Sequence, residues 1–130
     1  MITDVKSLSI VTPTLRRPKE VVDLLDNLQL QLHPIMEVIL VHGIGSPGET
    51  PKVPSSCETY PFDVKHITHP LGTAIQRNSG IEHAAGDLIA FIDDDVRLEP
   101  EFFCRVAGLF DAVGSKDKTF RIFTPEEGGA

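Results

Sequence analysis

Short apolar runs alternate along the chain with stretches of helical period, which predicts an α/β domain on a largely parallel sheet. The first run is Leu8-Ser9-Ile10-Val11-Thr12, stopped by Pro13. Glu37 to His42 makes the second, stopped by Gly43, and Asp63 to Ile67 a weaker third. Leu88-Ile89-Ala90-Phe91-Ile92 is apolar at every position, as expected of a central strand covered on both faces. Phe120 to Phe123 reads as a last strand, after which the architecture stops short.

Three helices fit between these runs. Pro18 can open the first, because a first-turn residue has no N–H partner to lose. Val21, Leu24, Leu25, Leu28 and Leu32 then form one apolar stripe, ended by His33-Pro34. Thr73-Ala74-Ile75-Gln76 has capping-box spacing and opens a second helix that stops at Gly86. Its interior Gly80 costs about 1 kcal/mol relative to Ala, so either close packing on the sheet or close approach of a ligand must justify it. The third helix starts at Pro100, carries Phe103, Val106 and Phe110 on one face and ends at Gly114. Ile44 to Phe62 holds four prolines and no period, so it reads as a long loop. The chain is expected to be a single domain, 1–124, followed by a flexible tail, 125–130.

Composition narrows the function classes. With 12 Lys+Arg against 19 Asp+Glu the formal charge is −7, which argues against nucleic-acid partners and anionic membrane surfaces. No apolar run reaches the roughly 18–20 residues of a membrane span, and Met1 to Lys6 lacks the layout of a secretory signal. A cytoplasmic protein is expected. Cys57 and Cys104 form no C-x-x-C and read as two reduced thiols.

In an open parallel sheet, ligands bind beyond the carboxyl ends of the strands. Those ends are Thr12-Pro13-Thr14, His42-Gly43 and Asp93-Asp94-Asp95. Three successive carboxylates repel one another, and a hard divalent cation with oxygen ligands relieves that. In an extended segment Asp93 and Asp95 point to one side and Asp94 to the other, so a D-x-D pair could share one Mg²⁺ or Mn²⁺. A solvated acidic turn capping the next helix is the plain alternative. Arg16, Arg17 and Arg77 fall beside the same edge and suit a phosphate-bearing ligand, which Arg clasps bidentately. Carboxylates, cation and arginines together suggest a nucleotide phosphate ester.

Other chemistry fits poorly. Gly43 to Gly48 spells G-x-G-x-x-G after a strand, but prolines rather than a helix follow it, so it is no dinucleotide fingerprint. His66 and His69 need not share a face, and no Cys stands near them to complete a zinc site. An Asp-nucleophile phosphatase would want Thr or Val where Arg97 stands. No G-x-S-x-G elbow is present.

Ser9 to Pro18 resembles the opening strand and loop of family 2 glycosyltransferases of the GT-A fold. Gly72 to Pro100, with Arg77-Asn78-Ser79-Gly80, Ala84-Ala85-Gly86-Asp87 and Phe91 to Asp95, is similar to their second signature block. The resemblance implies a GT-A-like, mostly parallel open sheet with flanking helices, Rossmann-like in layout and incomplete at its C-terminal side. It further implies transfer of a sugar from a nucleotide-sugar donor to an unknown acceptor, usually with inversion and with Mn²⁺ or Mg²⁺. By the same resemblance, Thr12, Pro13, Thr14, Arg17, His42, Arg77, Asp93 and Asp94 would bind the nucleotide, and Asp93 and Asp95 would face the metal. Relatives commonly carry Asp-Asp-Gly-Ser after the second strand, whose first Asp reads the base. Here the aligned residues are His42-Gly43-Ile44-Gly45, so the donor need not be a uridine nucleotide. The general base of the family has no counterpart after Phe123, so this chain is expected to hold only the donor half. A nucleotide-sugar-binding module without chemistry, and an unrelated α/β interaction domain with an acidic rim, are the competing readings.

Overall fold

A computed structural model describes residues 7–46, 48–50, 59–113 and 119–121. Five parallel strands are ordered β3-β2-β1-β4-β5: β1 is Leu8–Thr14, β2 Glu37–Ile44, β3 Asp63–Pro70, β4 Leu88–Phe91 and β5 Thr119–Arg121. Helices α1 (Pro18–Leu28), α2 (Thr73–His83) and α3 (Phe102–Val113) cover the two faces. The α/β, mostly parallel architecture read from the pattern is the one observed.

Strand alternation divides the core in two. Leu8, Ile10, Val38, Leu40, Ala90 and Ile92 pack with Val21, Leu24, Leu25 and Leu28 of α1 and with Phe103 and Ala107 of α3. Val11, Ile39, Val41, Ile89 and Phe91 face the other way, with Ile81 of α2 packed on them. Helix α2 lies close because Gly80 has no side chain. A Cβ there would stand 2.3 Å from Val11 Cγ1, so close packing on the sheet explains that glycine.

Strand β1 continues past the expected stop, through Pro13 to Thr14. The nitrogen of residue 13 faces β4, since Ile92 N–H bonds the Val11 carbonyl at 3.1 Å, and β4 has ended by then. No ladder bond is lost, which is the condition for proline in a strand. At the opposite edge of the sheet, buried Glu37 accepts from Ser9 Oγ at 2.5 Å, Ala85 N–H at 2.7 Å and Lys65 Nζ at 2.6 Å. Burial alone would raise the Glu37 pKa, but the three donors hold it below the usual range. A Cβ on Gly86 would sit 2.6 Å from Ser9 Oγ. The Ala85-Gly86 pair of the second signature block therefore locks the sheet at the edge away from the strand C-termini.

Several boundaries differ from expectation. Helix α1 ends at Leu28, and Leu32, expected on its stripe, is 69% exposed. Its N–H bonds the Pro100 carbonyl at 2.9 Å, while the Gln31 side chain bonds Glu99 O and Phe103 N–H, so this stretch ties α1 to the start of α3. Helix α2 stops at His83 rather than Gly86, because Ala85 and Gly86 N–H are committed to Glu37 and Ser9. Helix α3 begins at Phe102, two residues after Pro100, and β5 begins at Thr119, while Gly114, Ile122 and Phe123, expected to end the helix and the last strand, lie outside the described residues. Cys57 and the tail 125–130 lie outside the described residues, and Cys104 is a free, exposed thiol. Among the described residues no helix is long and apolar enough to cross a membrane.

Candidate functional site

Parallel strands in this order bring the carboxyl ends of β1, β2 and β4 to one edge. A cavity of about 520 Å³ opens there, bounded by Pro13, Thr14, Leu15 and Arg17 from the β1–α1 turn. Thr73, Gln76 and Arg77 from the first turns of α2, with Leu71 before them, form the second wall. Asp93, Asp94 and Asp95 close the third.

The three carboxylates have different surroundings. Asp93 accepts from Arg77 Nη2 at 3.0 Å. Asp94 is buried, accepts from Thr14 Oγ1 at 2.8 Å and has Arg17 Nε at 3.7 Å. Burial pushes the Asp94 pKa up, against the opposing pull of Thr14 and Arg17. Asp95 is exposed at the rim. Strict alternation fails after Asp94, because Val96 N–H bonds the Asp93 carbonyl at 3.1 Å and closes a turn. Arg97 Nη1 secures that turn through the carbonyls of Asp94 at 3.0 Å and Val96 at 2.7 Å.

Gln76, read from the sequence only as a cap, is a structural clamp of the site. Its Nε2 donates to the carbonyls of Val41 at 2.8 Å and Thr14 at 3.3 Å, joining the ends of β1 and β2. Its Oε1 accepts the N–H of Gly72, the true N-cap residue, at 3.0 Å. The capping-box spacing was the available signal; its inward direction was not. Gly43 makes the clamp possible, since a Cβ there would lie 2.9 Å from Gln76 Oε1 and 3.0 Å from Leu71 Cδ1.

Two expected nucleotide-site residues do not line the cavity. Thr12 is fully buried, and its Oγ1 has no hydrogen-bond partner among the described residues. His42 is buried on β2 with its ring stacked on His66, Nε2 to Nδ1 at 2.9 Å. Burial, with His66 adding to it, lowers the His42 pKa to about 4, so the ring is neutral at pH 7. His66 and His69 are three positions apart, an odd step that puts them on opposite faces. Arg16 is turned to Glu49 and not to the carboxylates. Gly43 to Gly48 opens no helix among the described residues, so the G-x-G-x-x-G spelling carries no dinucleotide site. Among the described residues no three His, Cys, Asp or Glu side chains converge to hold a metal by themselves.

The parallel sheet, with an acidic cavity at the strand C-termini, is that of a GT-A-like α/β domain. The chain belongs to glycosyl transferase family 2, whose model matches residues 9–123. Solved structures agree in fold. S. aureus TarS, residues 1–349, is 21% identical with a TM-score of 0.61 over 82% of this chain and 32% of that one. The TarS complex with UDP-GlcNAc gives 0.60 at 21% identity, covering 82% and 31%. The mannosyltransferase PcManGT from Pyrobaculum calidifontis, in complex with GDP-Man and Mn²⁺, gives 0.66 at 22% identity, covering 83% and 33%. This chain thus spans about a third of the length of these neighbours. No curated protein matches it.

Proposed function

We propose that this chain is the donor-binding part of a glycosyltransferase, taking a nucleotide-diphosphate sugar together with Mn²⁺ or Mg²⁺ for transfer, with inversion, to an acceptor. One observation carries the reading: Asp93, Asp94, Asp95, Arg17 and Arg77 share one cavity at the C-terminal edge of the sheet. Three carboxylates against two guanidiniums leave that lining with one negative charge, which repels a diphosphate. A divalent cation reverses the sign, and carboxylate oxygens are the ligands a hard cation takes. The residues therefore fit the metal.

Asp95, exposed at the rim, and Asp93 would hold the cation, which when bound supplies Lewis-acid stabilisation of the leaving diphosphate. Arg77, which donates to Asp93 at 3.0 Å, lies in the same cavity and would offer its guanidinium to phosphate if Asp93 turned to a cation. Asp94 stays with Thr14 and Arg17 and fixes the β1–α1 turn beside the nucleotide. Pro13 and Thr14 wall the nucleotide seat, and Thr12 lies buried before them on β1. The neighbouring complexes with UDP-GlcNAc and with GDP-Man and Mn²⁺ support this class of ligand. With His42 committed to His66, base selection is weak.

Thermal melts with UDP, GDP, TDP and CDP in Mn²⁺ test the proposal. Ligand at a hundredfold excess over its Kd should add about 2.7 kcal/mol of stability, to a similar degree for all four bases. Asp95→Asn should weaken that binding by about an order of magnitude, since a charged ligand to a hard cation is lost. No shift with any nucleotide would refute the donor site, and stabilisation by UDP alone would refute the weak base selection.

A further inference from the structure

The acidic cavity has a neighbour. A recess of about 450 Å³ opens between the ends of β2 and β3, lined by Ile44, Gly45, Ser46, Thr68, His69 and Pro70. Among the described residues its lining has no Asp, Glu, Lys or Arg, in contrast to the cavity beside it. From the end of β4 to the gap between β2 and β3 is two to three strand spacings, roughly 12 Å. A small molecule with a flat heterocycle at one end and phosphates at the other fits that span.

Two connections join the walls of these recesses. Leu71 lines the acidic cavity, and its N–H bonds the carbonyl of Ile44 at 3.1 Å. The second is a fork. Arg16, between the cavity-lining Leu15 and Arg17, donates through Nε and Nη2 to the two oxygens of Glu49 at 2.8 and 2.9 Å. Glu49 Oε1 also accepts the N–H of Gly45 at 2.9 Å and of Ser46 at 3.3 Å, both in the wall of the second recess. The Glu49 N–H bonds the Ser46 carbonyl at 3.1 Å and closes the turn.

The backbone shows what this arrangement requires. Arg16 holds φ at +53°, a left-handed conformation uncommon in residues other than glycine. Exposed ion pairs stabilise a fold little, so stability alone is a weak reason to keep a strained residue there. The pairing raises the Arg16 pKa and lowers that of Glu49, so the fork persists across neutral pH.

We propose that the Arg16–Glu49 fork is a positioning device that keeps the two recesses in register, so that one nucleoside diphosphate occupies both, phosphates at the carboxylates and base between β2 and β3. This rests on the nucleotide reading of the acidic cavity. Arg16 and Glu49 touch no reacting atom; they act through the turns they join.

The test compares UDP with inorganic pyrophosphate, each titrated in Mn²⁺ against the wild-type chain, Glu49→Ala and Arg16→Gly. Pyrophosphate reaches only the carboxylate end, and Arg16→Gly removes the fork while relieving the strained φ. Both variants should bind UDP on the order of ten-fold more weakly, a loss of preorganisation, with pyrophosphate affinity unchanged. Equal weakening of both probes would reduce the fork to a general structural role, and unchanged UDP affinity would remove it altogether; either overturns the proposal. Hydrogen exchange reads the fork without ligand. The amides of Gly45 and Ser46 should exchange faster in Glu49→Ala, and unchanged exchange also overturns it. A wild-type chain that binds neither probe refutes the nucleotide reading itself, an outcome distinct from variants that bind as wild type does.

Discussion

Thr14→Val isolates the contact that holds the acidic edge to β1. The replacement keeps the β-branched shape, so strand preference and packing volume barely change. What disappears is the Oγ1 hydrogen that reaches Asp94 Oδ2 at 2.8 Å, leaving a buried carboxylate one donor short. Hydrogen bonds to charged groups contribute about 1.5–3 kcal/mol, so a loss of that size is expected at pH 7. With a urea slope of about 1–3 kcal/mol/M, the midpoint should fall by roughly 1 M. The chain has no Trp and one Tyr, so far-UV circular dichroism is the suitable probe. Acid supplies the control. Burial raises the Asp94 pKa, so the folded state holds this proton more tightly than the unfolded chain does, and the group's contribution to stability falls as pH rises through that window. Once protonated, Asp94 no longer needs the Thr14 donor as a charged group does, and the penalty of Thr14→Val should shrink when the pH is lowered far enough to protonate it. A loss under about 0.5 kcal/mol at pH 7, or the same loss at both pH values, would refute the coupling of Thr14 to Asp94.

Two further outcomes follow from the packing and the histidine pair. In Gly80→Ala the new methyl meets Val11, and overpacking of about 1–3 kcal/mol outweighs the helix gain of about 1 kcal/mol, so urea melts should show net destabilisation. Nucleotide affinity should be unchanged; its loss with stability intact would show that Gly80 serves a ligand instead. The His42 ring should titrate by NMR with a midpoint near 4, and since the unfolded chain takes the proton first, stability should fall as pH drops from about 6.5 toward 4. A midpoint near 6.5 would show that burial beside His66 does not keep the ring neutral.

The strands and the acidic edge were legible because their signals are local. A wholly apolar run such as Leu88 to Ile92 is what a covered strand requires, and Asp93 to Asp95 follow it directly at the sheet edge. What escaped the sequence depends on contacts far along the chain. Leu32 keeps the helical period of α1, yet its N–H is drawn to Pro100, 68 residues on. Gln76 has the spacing of a cap, but its amide reaches two strands that are adjacent only after folding. His42 occupies the expected position at the end of β2, and an unforeseen neighbour on β3 takes its ring nitrogen. The pattern also placed Asp95 beside Asp93 by alternation, whereas a turn fixed by Arg97 sets its direction.

Calorimetric titration of the wild-type chain with UDP and with GDP, run once in Mn²⁺ and once with a chelator, tests the donor site most directly. Binding at one site in Mn²⁺, lost with the chelator, is the expected result, because the lining of Asp93, Asp94, Asp95, Arg17 and Arg77 repels a diphosphate until a cation reverses its charge. Equal affinity in both conditions would contradict the metal, and heat from neither nucleotide in either condition would contradict the site.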